Sequence, residues 1–182
     1  MSYGASLTLF DPYLVNGQRV FMETCWLPAL ECAGIDVFVE AIASAASPGC
    51  AVFTHELKGA ASRVPAEATA FGLRRDHVLI EIFATFVDRS DKEEEQRHRR
   101  WARATRQALA PMALPGGYPN LLAGDDAERA AESYGPNAER LVEAKRHFDP
   151  DNVFCSAIPL PTGSTPFPGI GRPDHHPSGV DK

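Results

Sequence analysis

The sequence lacks an apolar run long enough to cross a bilayer. Its longest apolar stretches are about ten residues and are broken by Glu, Asp or Pro, against the roughly 20 residues that a spanning helix needs. It also lacks an excess of positive charge. Against 24 Asp and Glu stand 18 Lys and Arg, a formal net charge of -6, which argues against a general nucleic-acid or anionic-membrane binder and for a neutral or organic ligand. The opening MSYGASLTLFDPY has no basic stretch followed by an apolar one, so no secretory signal is visible and a cytoplasmic location is expected. Cysteine is scarce and unpatterned: Cys25, Cys32, Cys50 and Cys155 form no CxxC pair and no Cys/His set at zinc spacing, so no metal site is expected and four reduced thiols are. No Walker loop, GxSxG elbow or HExxH helix occurs, which leaves kinase-like, serine-hydrolase and zincin readings without a motif.

What is present suits one compact α+β domain. The 182 residues are 44% hydrophobic, enough for one sizeable core and too few for two domains. RVFMETCW (19–26), CAVFTHEL (50–57) and HVLIEIFATF (77–86) are rich in β-formers and predict strands. DVFVEAIASAA (36–46) predicts a helix with Val37, Val39 or Glu40, and Ile42 on a mixed apolar face, ended by Ser47-Pro48-Gly49. Residues 91–110 predict a long helix opened by Ser90 or Asp91, with Glu93–Arg97 and Glu95–Arg99 in the favourable i,i+4 order. A short helix over Ala127–Tyr134 and another opened by Pro136 follow, closed by the turn Asp149-Pro150-Asp151-Asn152. From Pro159 onward the chain is dense in Pro, Gly, Ser and Thr, and a flexible, disordered tail is expected over 161–182, where His175 and His176 carry no assigned role. The expected fold is a largely antiparallel sheet backed by helices, with a C-terminal helical segment.

Within HVLIEIFATF a single carboxylate interrupts an apolar run. Strand alternation puts Leu79, Glu81, Phe83 and Thr85 on one face and Val78, Ile80, Ile82 and Ala84 on the other. A carboxyl group among apolar neighbours loses hydration, which disfavours its charged form and suits it to proton transfer near neutrality. The alternative is a solvent-facing side on which Glu81 simply points out. Tyr118 and Asn120 stand in GGYPNLL, where Gly116, Gly117 and Pro119 restrict the backbone and present a phenol and a carboxamide, groups able to hold a carbonyl or a heterocycle edge. His55, Glu56, Lys58 and His77 are further titratable groups near strand ends.

Two longer stretches carry a family likeness. YGPNAERLVEAKRHFDPDNVFCSAIPLP (134–161), preceded by GGYPNLL, resembles the C-terminal berberine-bridge-enzyme-like segment of FAD-linked oxidases with the vanillyl-alcohol-oxidase type of flavin fold. GAASRVPAEATAFGLRRDHVLIEIFATF (59–86) is similar to the substrate-domain segment of the same family. The resemblance implies a partial substrate-binding domain over 1–110 and a berberine-bridge-enzyme-like segment over 111–160. It further implies an oxidoreductase that moves a hydride from a substrate carbon to the N5 atom of FAD, acting on a small organic substrate. On this likeness Glu81 falls where relatives often carry an acid, amide or base facing the flavin, and Tyr118 and Asn120 fall on a Tyr-x-Asn element lining the substrate and flavin side, while Asn152 and Phe154 serve turn and packing. The sequence departs from the pattern at Leu121, where many relatives have a second tyrosine, and at Leu73, where a histidine often precedes the arginine corresponding to Arg74. It has no glycine-rich pyrophosphate loop and no N-terminal His or Cys for covalent flavin attachment, so FAD would be held mainly by residues absent from this chain, in a flavin-binding domain or partner chain, and the chain alone would be inactive. A non-catalytic binding or assembly module derived from the same domain is the alternative.

Overall fold

The computed structural model of the chain describes residues 1–9, 11–12, 16–87, 91–122, 127–155 and 160; the tail expected over 161–182, with His175 and His176, lies outside the described residues. The three predicted strands form as β1 (Arg19–Leu27), β2 (Cys50–Leu57) and β3 (His77–Phe86). They build one antiparallel sheet in the order β1-β3-β2, so the most apolar strand has a neighbour on both sides. Among the described residues five α-helices accompany them: α1 (Tyr3–Leu7), α2 (Cys32–Ala43), α3 (Lys92–Leu109), α4 (Ala127–Tyr134) and α5 (Ala138–Phe148).

Period-2 alternation in β3 decides which face is core. Val78, Ile80, Ile82 and Ala84 are at most 1% exposed and meet Phe21, Cys25 and Leu27 of β1, Cys50 of β2, Ala41 of α2 and Trp101, Ala102 and Leu109 of α3. Burying one such aliphatic side chain contributes roughly 1.5–3 kcal/mol, so this layer alone justifies a sheet backed by helices. The indole Nε1 of Trp101 donates to the carbonyl of Ala41 at 2.8 Å and locks α3 to α2.

Helix α3 follows its sequence signals closely. Asp91 caps it by accepting from the amides of Glu93 and Glu94, each at 2.9 Å. Glu95 binds Arg99 at 2.7 Å and also Arg19 of β1 at 2.7 Å, and the hydrogen bond from Arg99 holds its carboxyl below the usual carboxylate range. The cluster EEEQRHRR is thus a solvated helix face only in part, because His98 is fully buried against Phe86.

Other boundaries shift for identifiable reasons. Helix α2 begins at Cys32 rather than Asp36 and takes in the buried Gly34, where a Cβ would make ordinary contact with Leu30 at 3.5 Å, so the glycine does not act as a breaker. It ends at Ala43 because the Ser44 hydroxyl donates back to the carbonyls of Glu40 and Ala41. Val37 and Phe38 pack on the core, whereas Val39 and Ile42, expected on the apolar face, are 65% and 48% exposed. The turn after α5 forms with Asn152 at φ 53, but Phe154 is 79% exposed, so the packing role expected of it is not met.

The four thiols are free; Cys25 and Cys50 are buried and Cys32 and Cys155 exposed. Burial pushes the Cys25 thiol up to about 11 despite the nearby Arg129 and Arg106 guanidinium groups. A thiolate is the reactive form, so native protein treated with a disulfide reagent near pH 8 should release colour rapidly from two thiols and from all four only after denaturation. Rapid reaction of a third thiol in the native state would contradict this packing.

Candidate functional site

The face of the sheet opposite α2 and α3 carries Trp26, His55, Leu79, Glu81, Phe53 and Phe83 side by side. The register sets Glu81 between Thr24 of β1 and Phe53 of β2, and Leu79 between Trp26 and His55. Phe53 and Phe83 meet edge to face at 5.3 Å, so Glu81 stands in an aromatic and aliphatic setting. Its side chain is 16% exposed, and its Oε2 lies 3.3 Å from Nε2 of His55, an ion pair when the imidazole is protonated. The solvent-facing alternative for Glu81 is therefore not what the fold builds.

Two loops close over this face. Residues 58–72 contain two 3-10 turns, Ala61–Arg63 and Ala66–Ala68. The buried carboxamide of Asn137 donates to the carbonyls of Ala66 and Thr69 at 2.7 and 3.0 Å, and Arg140 donates to that of Glu67, so the segment after α4 pins this loop. Arg74 donates from Nε to the carbonyl of Phe71, from Nη1 to that of Ala61 and from Nη2 to the Thr69 hydroxyl, and its guanidinium lies over the Phe71 ring. Phe71 in turn meets Trp26 and Tyr118 edge to face.

The second loop is GGYPN. Gly116 has φ 82, a left-handed conformation that side chains rarely adopt, and a Cβ there would lie 2.8 Å from the Ser133 nitrogen. Its amide donates to Glu132 at 3.0 Å, and the Gly117 amide donates to the Ser133 hydroxyl at 2.8 Å, so two side chains of α4 hold the loop down. A Cβ on Gly117 would meet the Arg129 guanidinium at 2.7 Å. That guanidinium reaches the Thr24 carbonyl and approaches the buried Glu23, which Arg106 also binds at 2.8 Å. Past the glycines, a 3-10 turn over Pro119–Leu121 presents Tyr118 and Asn120, and Asn120 donates to the Tyr118 hydroxyl at 3.2 Å.

The result is a cleft of about 640 Å³ lined by Glu81, His55, Leu79, Phe71, Arg74, Tyr118 and Asn120, with Tyr134 and Ser133 of α4 on the far wall. All three residues singled out from sequence, Glu81, Tyr118 and Asn120, line it. Of the other titratable candidates only His55 joins them: Lys58 pairs with Glu56 at 2.5 Å, and His77 is buried beneath Trp26. Tyr134 and Phe71 were not foreseen as site residues. Burial raises the Tyr134 phenol above its ordinary value, so it is a hydrogen-bond donor there rather than a phenolate.

The lining fits one part of a flavin better than another. Its aromatic and aliphatic walls, with a carboxamide and two phenols at the margin, suit a flat heterocycle. A diphosphate is not catered for, because Arg74, the arginine of the lining, gives hydrogen bonds from all three of its nitrogens to its own loop.

Fold and cleft define an α+β unit with an aromatic cleft on the open face of its sheet. Comparison with known proteins shows what it is similar to. Residues 117–161 match the family described as Berberine and berberine like. The chain is 34% identical over 96 residues to the FAD-linked oxidoreductase YvdP of Bacillus subtilis (strain 168), covering 53% of this chain and 21% of that protein. It is 31% identical over 110 residues to YgaK of the same organism, covering 60% and 24%. The chain thus spans about a quarter or less of the length of these curated relatives. Among solved structures, berberine bridge enzyme from Eschscholzia californica superposes with a TM-score of 0.68 at 18% identity, over 81% of this chain and 34% of that one. A berberine-bridge-enzyme-like protein from Arabidopsis thaliana gives 0.72 at 17% identity, over 80% and 34%. These likenesses show the fold.

Two consequences are measurable. Gly116→Ala should lower stability by about 1–3 kcal/mol in denaturant unfolding, through left-handed strain and the contact with Ser133; an unchanged midpoint would mean the loop is not seated on α4. His77 gives the second. Burial holds its imidazole below the usual 6.5, opposed by the hydrogen bond to the Arg75 carbonyl. As pH falls through that value the unfolded chain takes up the proton first, so stability declines with falling pH until the depressed folded value is reached. The fall in melting temperature from about pH 7 to about pH 5.5 should be smaller in His77→Asn than in the parent; equal slopes would contradict the burial.

Proposed function

We propose that this chain forms the substrate-facing wall of an FAD-dependent oxidoreductase site, with the flavin held mainly by a flavin-binding domain or partner chain. What carries the reading is the convergence of Glu81, Tyr118 and Asn120 on one aromatic cleft, from segments nearly forty residues apart. A bound flavin supplies a hydride acceptor at N5, the chemistry that oxidation of a substrate carbon needs.

The residues of this chain account for the remaining requirements. Glu81 takes the proton that leaves with the substrate's hydride equivalent, or anchors the hydroxyl or amine that carries it; His55 at 3.3 Å keeps the carboxylate oriented. Tyr118 and Asn120, joined by their own hydrogen bond, present a donor and an acceptor to the edge of a heterocycle or a substrate oxygen. Phe71, Leu79 and Tyr118 exclude water from one side of the cleft, which strengthens each polar contact within it. Leu121, without a hydroxyl, cannot act as a base, so proton transfer falls to Glu81. On this reading residues 1–110 are part of a substrate-binding domain and residues 111–160 the berberine-bridge-enzyme-like segment that closes it.

The test is Glu81→Gln in an assembly that joins this chain to a flavin-binding polypeptide. Turnover should fall by about 10²–10⁴, with flavin content unchanged. A loss of less than about tenfold would remove Glu81 from the role of base.

A further inference from the structure

Behind one wall of the cleft lie two buried polar atoms that find no hydrogen-bond partner among the described residues, the indole Nε1 of Trp26 and the Nε2 of His77. Both side chains are at most 2% exposed. The Nδ1 of His77 lies 2.6 Å from the carbonyl of Arg75. A carbonyl only accepts, so Nδ1 carries the proton of the neutral ring and Nε2 presents a bare lone pair. The next proton the ring takes up must therefore go to Nε2, where it creates a buried charge and an N–H with nothing to receive it.

Two rings cover this imidazole, Trp26 and Phe71, at 5.8 and 6.5 Å between centroids. They are held differently. Trp26 sits within β1, opposite Leu79 of β3, and its carbonyl accepts from the amide of Leu114. Phe71 stands in a loop that Asn137 and Arg140 tie down through the carbonyls of Ala66, Glu67 and Thr69. Among the described residues no backbone-to-backbone hydrogen bond joins residues 66–72 to the sheet. Phe71 also lines the cleft of about 640 Å³, which gives its ring room to turn.

The surrounding charges offer an imidazolium little support. Burial opposes it first, and the Arg75 guanidinium adds to that; Asp76 favours it but also attracts Lys58. Arg74 adds a further positive charge over the Phe71 ring. On β2, Leu57 stands opposite His77 without a charge, Glu56 is paired with Lys58, and His55 is engaged with Glu81. From the GGYPN loop, Tyr118 meets Phe71.

We propose that His77 and Phe71 form an acid-sensitive gate on the cleft: when the imidazole takes a proton at Nε2, the Phe71 ring leaves Trp26 and His77 and turns into the cleft. Water then reaches Nε2, and the ring occupies space that a ligand would use. Of the two covers, Phe71 yields because it is tied by side chains alone, whereas moving Trp26 would break a strand. The gate belongs to this chain by itself and needs neither flavin nor substrate, so it stands or falls apart from the reading of the cleft as an oxidoreductase site.

Replacing Trp101 by Phe leaves Trp26 as the only tryptophan. Acrylamide quenching of its fluorescence should rise at least about twofold between about pH 7.5 and about pH 5, with far-ultraviolet dichroism unchanged, and should stay low at both when His77→Asn is added. Because Trp101 is a core residue whose variant can fail to fold, proton NMR of the His77 ring gives a second measurement in the parent and in Phe71→Ala, the signal being assigned by its absence from His77→Asn. With the covering ring gone, the His77 midpoint should move up toward its ordinary value. Equal quenching at the two pH values, a rise that persists without His77, a rise accompanied by loss of dichroism, or an unchanged midpoint in Phe71→Ala would each overturn the proposal.

Discussion

Two backbone amides hold the site together. Gly116 and Gly117 donate to Glu132 and Ser133, and these bonds seat the GGYPN loop on α4 above a sheet face that would otherwise lie open. Gly116 does not tolerate a side chain there, because it occupies a left-handed conformation against the Ser133 backbone, and a Cβ on Gly117 would displace the end of the Arg129 side chain. Arg129 in turn reaches the Thr24 carbonyl in β1, the strand neighbour of Glu81. The loop that carries Tyr118 and Asn120 is therefore referenced to the strand pair that carries Glu81 through one helix.

The arrangement separates stability from chemistry. Ile80 and Ile82 face the helices and are fully buried, while Glu81 between them faces the cleft. A one-residue slip of β3 would exchange these roles, burying the carboxylate in the core and exposing two isoleucines, at a cost of several kcal/mol. The core therefore enforces the register that aims Glu81 at the cleft.

Much of this was legible in the sequence, and what was not has a common cause. The strands, the long helix and its Asp91 cap follow from period-2 and period-3.6 patterns and from local capping chemistry, so they were foreseen nearly to the residue. The cleft face of Glu81 was open from alternation alone, because alternation names a face without saying what covers it. The cover comes from Phe71, Tyr118 and Tyr134, brought together by Asn137 and Ser133 bonding to backbone groups far away in sequence, contacts that leave no periodic trace. The exposed flank of α2 was misjudged for the same reason: helical spacing marks Val39 and Ile42 as apolar but cannot say that, among the described residues, they stay 65% and 48% exposed.

The central claim is that the cleft over Glu81 faces a flavin. Photolabelling by 8-azido-FAD of an assembly that joins this chain to a flavin-binding polypeptide, followed by peptide mapping, addresses it directly. The account predicts label on peptides spanning residues 77–86 and 117–122. Label confined to α2 and α3 on the other side of the sheet, or to the flavin-binding polypeptide with none on this chain, would contradict it.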